Sequence, residues 1–114
     1  MEEYLGVTPP DAAKGVLQDV HWSGGMIGYF STYALGNLIS AQLWEKINQD
    51  IPNLNDQFRA GKFESLLAWL RENVHRYGAK FEPQELMQKV TGSNIEPAAY
   101  IRYLMKKFSD IYDL

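Results

Sequence analysis

Apolar residues recur along most of this chain at spacings of three and four, the period of an α-helix, and no run alternates regularly enough to read as a strand. The clearest stripe is Phe63, Leu66, Leu67, Leu70, Val74 and Tyr77, with Glu64, Arg71, Glu72 and Arg76 elsewhere on the cylinder and Gly78 closing it. A second comprises Ile101, Leu104, Met105, Phe108, Ile111 and Tyr112, opposite Arg102, Lys106, Lys107 and Asp110, and is opened by Glu96-Pro97. Between them, Glu82-Pro83-Gln84-Glu85 opens a helix with Leu86, Met87 and Val90 inward and Gly92 as its stop. The longest pattern runs from Ile27 to about Gln49, where Phe30, Ala34, Leu38 and Ala41 continue beside Leu35, Ile39, Leu43 and Ile47 until Pro52 ends it. Asn53 to Gly61 gives a short helix carrying Leu54 and Phe58, with Asn53 as its cap. Near the start, Thr8-Pro9-Pro10-Asp11 predicts a helix to about Val20, broken by Ser23-Gly24-Gly25. The expected fold is all-α, with about five or six helices, one of them long and nearly uncharged, and residues 1–114 forming a single helical segment.

Composition sharpens this picture. Fourteen acids against eleven bases give a net charge of -3, which supplies neither the basic patch of a nucleic-acid binder nor a polybasic membrane anchor. The absence of cysteine excludes disulfides and thiolate metal sites and leans toward a cytoplasmic location. Glu2 and Glu3 follow Met1 where a signal peptide would need a basic and then an apolar run, and the opening residues resemble the interior of a larger protein. From Trp22 to Trp44 no residue carries a formal charge, a length that could span a bilayer. Gly24, Gly25, Gly28, Gly36, Ser31, Thr32, Asn37 and Gln42 within it argue instead for a helix surrounded by protein, and no membrane association is expected. A domain of this size rarely surrounds such a helix by itself, so part of the covering is expected from a partner or a second copy.

The one concentration of chemically capable groups is Gln18, Asp19, His21 and Trp22, followed by a glycine-rich bend and then Tyr29 and Tyr33. Two readings of it stand side by side. In one, Asp19 caps or bonds locally and His21 is a satisfied core histidine. In the other, His21 and Trp22 line a substrate cleft into which Tyr29 or Tyr33 points, and the imidazole or a phenol donates to developing negative charge. Tyr29 is the nearer to the bend. His75 lies in the single Glu-x-x-His of the chain, among Arg71, Glu72 and Arg76, and reads as a surface or helix-end residue. No His-Glu-x-x-His helix, nucleophile elbow or phosphate-cradling loop is present.

Gly15-x-x-Gln18-Asp19-x-His21-Trp22 resembles the Gly-x-x-Gln-Asp-x-His-Trp signature of the carboxypeptidase Taq family of zinc-dependent metallocarboxypeptidases, and Gly28 to Leu38 resembles the segment that follows it there. Tyr4 to Val7, Leu70 to His75 and Tyr103 to Phe108 look similar as well. The resemblance covers the C-terminal portion of the family, whose members are longer, mostly helical homodimers that remove residues from peptide C-termini. It implies a zinc or cobalt ion held by a His-Glu-x-x-His helix and a further glutamate, none of which matches residues here, so this chain by itself is expected to bind no metal and to be inactive. It also implies catalytic or oxyanion-side roles for His21 and for Tyr29 or Tyr33, substrate-side roles for Gln18, Asp19 and Trp22, and association with the N-terminal portion or with another copy. The rival expectation is a non-catalytic helical module that binds a partner through its uncharged helix.

Overall fold

The computed structural model describes residues 2–113, which contain helices and turns and no strand. They divide into two compact units at the Tyr33–Ala34 bond.

The first unit is mostly turns. A short helix α1, Glu2–Leu5, is followed by bends up to Gly15, a 3-10 turn at Val16–Gln18 and a single-turn helix α2, Val20–Ser23. The helix expected from Thr8 to about Val20 does not form. Pro9 precedes Pro10 and is biased out of the α region, and the Asp11 carboxylate closes a local turn by accepting from the Lys14 amide at 2.8 Å. The backbone then folds back on itself: a Cβ on Gly15 would stand 2.8 Å from Cγ of Pro9, so only glycine fits there.

The long helix α3 spans Ser31–Asp50 and therefore begins later than the expected Ile27. Gly28 has φ +79°, which a right-handed helix does not accommodate, and the Ser31 and Thr32 hydroxyls bond back to the Gly28 and Tyr29 carbonyls.

The second unit takes the rest of α3 with α4 (Leu54–Arg59), α5 (Glu64–Asn73), α6 (Pro83–Thr91) and α7 (Ala98–Tyr112). Its core consists of Ile47, Leu54, Met87, Val90 and Ala99, drawn from α3, α4, α6 and α7. Burying Leu54 completely contributes about 1.5–3 kcal/mol. The buried Gln42 of α3 adds a polar clamp: its amide nitrogen donates to Ser93 Oγ (3.2 Å) and the Asn94 carbonyl (2.9 Å), and its oxygen accepts from the Glu96 amide (3.1 Å).

Helix α6 has the expected boundaries. Glu82 and Glu85 form a capping box, Pro83 occupies the first turn, and Gly92 adopts the left-handed conformation at φ +78°. Asn53 precedes α4 but its side chain makes no cap; its Oδ1 accepts from the Gln57 side-chain amide instead. The helix expected to continue to Tyr77 stops at Asn73, where Val74 leaves helical geometry and a 3-10 turn, His75–Tyr77, takes over with His75 exposed. On α7 the expected apolar stripe forms a continuous face but stands open, with Ile101 50% and Met105 67% exposed. No helix among the described residues is long and apolar enough to cross a membrane.

Candidate functional site

The polar cluster picked out in the sequence assembles within the first unit, and the local backbone explains how. After the 3-10 turn, Asp19 takes an extended conformation and caps α2: its Oδ1 accepts from the His21 amide at 2.8 Å. The same oxygen stands 2.9 Å from His21 Nδ1. One carboxylate oxygen thus fixes both the start of the helix and the orientation of the ring that helix carries. Beyond α2 the chain reverses through Gly25 and Gly28, both at positive φ, and the Met26 amide bonds back to the His21 carbonyl at 2.8 Å. The reversal returns Tyr29, Phe30 and Tyr33 to the imidazole.

Those three rings enclose it. Tyr29 lies roughly parallel to His21 with centroids 5.7 Å apart, and Phe30 and Tyr33 meet it edge-on at 5.4 and 5.6 Å. The Tyr33 hydroxyl faces Nε2 at 3.5 Å, a long contact that a bound ligand could shorten. The His21 side chain is 14% exposed, whereas Tyr29 and Tyr33 are about half exposed. The imidazole is therefore anchored and shielded while the phenols reach the surface.

Asp19 is held below the ordinary carboxylate range, first by the backbone amide of His21 and then by its side chain. An ionised Asp19 only accepts hydrogen bonds, so the proton on the neutral imidazole belongs on Nδ1. Nε2 then has a lone pair directed at the Tyr33 hydroxyl. If the ring gains a second proton, Nε2 becomes a donor and the Tyr33 O–H is free to donate outward.

Of the residues singled out in the sequence, Asp19, His21, Tyr29 and Tyr33 come together. Gln18 is turned to the Ala13 carbonyl, where it braces the preceding loop, and Trp22 projects 64% exposed. Phe30 was not singled out, because its spacing assigned it to the apolar face of the long helix; its nearness to the glycine bend was the available signal. Within the second unit a concavity of about 960 Å³ opens between α3 and α7, lined by Trp44, Glu45, Asn48, Tyr100, Arg102 and Tyr103. Arg102 braces it by donating to both carboxylate oxygens of Glu45 (2.9 and 2.7 Å), which pulls Glu45 below its usual range.

Residues 1–108 match the carboxypeptidase Taq (M32) metallopeptidase family. The chain belongs to this family. It is 41% identical over 108 residues to the thermostable carboxypeptidase 1 of Pyrococcus furiosus and 40% identical over 111 residues to carboxypeptidase 1 of Bacillus subtilis. These alignments cover 95% and 97% of the chain and 22% of each relative, so the chain spans about a fifth of the length of the curated family members it matches. The crystal structure of the M32 carboxypeptidase from Deinococcus radiodurans superposes over 99% of this chain and 23% of that one, with a TM-score of 0.92 at 38% identity. Trypanosoma cruzi metallocarboxypeptidase 1 superposes with a TM-score of 0.84 at 37% identity, over 93% of this chain and 23% of that one.

Membership of a metallopeptidase family raises the question of a metal site among these residues. Among the described residues no three His, Asp or Glu side chains gather into a group that could hold an ion. His21 meets one carboxylate and three aromatic rings, a surrounding that suits hydrogen bonding rather than ligation.

Proposed function

We propose that this chain supplies one wall of the substrate groove of a metallocarboxypeptidase that releases amino acids from peptide C-termini. The metal, zinc or cobalt in this reading, belongs to residues outside the chain. Within it, His21 in its doubly protonated form, through Nε2–H, and the Tyr33 hydroxyl that this form frees are the hydrogen-bond donors for the substrate carbonyl or for the negative charge that develops on it. Tyr29 shares that exposed edge, Gln18 and Trp22 belong to the substrate side, and Asp19 serves that side through its contact with His21. Assembly with the remainder of such an enzyme, or with a second copy as a homodimer, and a cytoplasmic location complete the proposal.

The observation that carries it is the line from Asp19 through His21 to Tyr33, in which a shielded imidazole ends on a surface hydroxyl. A histidine serving packing alone has no need of a neighbouring phenol half in solvent.

The test is a chimera in which residues 1–108 replace the matching segment of the Bacillus subtilis carboxypeptidase 1. The chimera should release C-terminal residues from peptides in a metal-dependent way. In it, His21→Ala should lower kcat about 100- to 1000-fold, the effect of losing one oxyanion donor, with little change in melting temperature. An active chimera whose His21→Ala variant turns over normally would refute the proposal.

A further inference from the structure

We propose that Asp19 is a positioning residue that acts through His21, locking the imidazole in the Nδ1–H tautomer so that Nε2 is presented to the Tyr33 hydroxyl. This rests on the reading of His21 as a substrate-facing group and gives Asp19 a role distinct from contact with substrate.

The geometry supports it in three ways. Asp19 Oδ1 is already fixed by the His21 backbone amide, so it is pre-oriented before the ring engages it. The contact to Nδ1, at 2.9 Å, has the length of a charge-assisted hydrogen bond. The rings of Tyr29, Phe30 and Tyr33 pack around the imidazole and oppose a flip that would exchange its two nitrogens. Together these constraints leave Nε2 facing Tyr33 in either protonation state. They also distinguish the two tyrosines: Tyr33 brings its hydroxyl to Nε2, whereas Tyr29 contributes a ring face.

The chain contains only two histidines, so the tautomer can be read directly by nitrogen NMR of the 114-residue protein labelled at histidine. Exposed His75 serves as the internal reference. Neutral His21 should show a single Nδ1–H tautomer, distinct from the mixture at His75. Asp19→Ala should return His21 to the His75 pattern, and Tyr33→Phe should leave Nδ1 protonated while shifting the Nε2 signal. A His21 that matches His75 in the unmodified protein overturns the proposal, and this outcome requires no variant to fold. An Asp19→Ala protein of unchanged helicity that keeps the Nδ1–H tautomer overturns it equally.

In the active chimera, Asp19→Ala should lower kcat roughly 10- to 100-fold and leave KM within about twofold, as expected when a supporting partner is removed from a group that acts in the transition state. A rise in KM at constant kcat would instead make Asp19 a substrate contact and overturn the proposal. If His21→Ala has no kinetic effect while the tautomer is found as stated, the functional reading falls and the positioning of His21 by Asp19 stands.

Discussion

Replacing Gln42 by leucine should expose how much of the second unit depends on one buried amide. The substitution roughly preserves volume and removes three hydrogen bonds, leaving the Asn94 carbonyl and the Glu96 amide without their partner. An unsatisfied buried group costs about 1–3 kcal/mol. The Ser93–Glu96 segment is only partly covered, so water can replace some of what is lost, and the low end of that range for each of two groups gives about 2 kcal/mol in total. For a domain of this size that corresponds to a fall in melting temperature of roughly 8–16 °C. Ser93→Ala removes only one of the three bonds, that in which Ser93 Oγ accepts from Gln42, and leaves the Asn94 carbonyl and Glu96 amide paired; even with the loss of its contact to Thr91 Oγ1 it should cost less, about 0.5–1.5 kcal/mol. Thermal and urea unfolding of the 114-residue protein followed by circular dichroism would measure both. A Gln42→Leu melting temperature within about 2 °C of the parent, or a Ser93→Ala loss larger than that of Gln42→Leu, would refute the assignment of Gln42 as the clamp.

Acid stability offers another check. Asp50 is held below the ordinary carboxylate range first by Lys46 and then by the Trp69 indole N–H, which donates to it at 2.8 Å. A carboxylate with a depressed folded value adds stability above its unfolded value, near pH 3.9, and loses it as pH falls through the folded value. Trp69→Phe should therefore raise the Asp50 titration midpoint toward the ordinary value, and the donor's contribution should be present at pH 7 and diminish progressively as pH falls below the unfolded value, measured by carboxyl carbon NMR and by unfolding across that range. Gly28→Ala should destabilise by about 1 kcal/mol through its positive φ alone, because open space surrounds the added methyl. In the same variant the aromatic ring-current shifts of His21 should collapse if the bend is what returns the rings to it.

The helices were legible where their ends carry their own chemistry. Glu82, Pro83, Glu85 and Gly92 specify α6 with groups a few residues apart, and the helix has the boundaries they predict. The stretch from Thr8 to Val20 was not legible, because the close approach of Gly15 to Pro9 depends on a backbone path that spacing does not encode. Gln42 read as one more polar residue in an uncharged helix, since its partners lie more than fifty residues away. On α7 the spacing told which residues share a face and could not tell what lies against it, so an apolar stripe that looked like core stands exposed.

Within the candidate site the residue types were legible and their division of labour was not. His21, Asp19 and both tyrosines stand out in the sequence, but that Tyr33 brings its hydroxyl to the imidazole and Tyr29 its ring depends on the backbone path through the bend at Gly25 and Gly28, which spacing does not encode. Phe30 was hidden because helical spacing extends the apolar face of α3 one turn too far.

The most direct measurement for the functional reading is a double-mutant cycle on kcat/KM in the active chimera, using His21→Ala, Tyr33→Phe and the pair. Groups that act as one unit on the substrate carbonyl lose most of their effect together. The double variant should therefore be no more than about threefold slower than His21→Ala alone. Losses that multiply would show two independent contributions and contradict the coupled imidazole and hydroxyl on which the account rests.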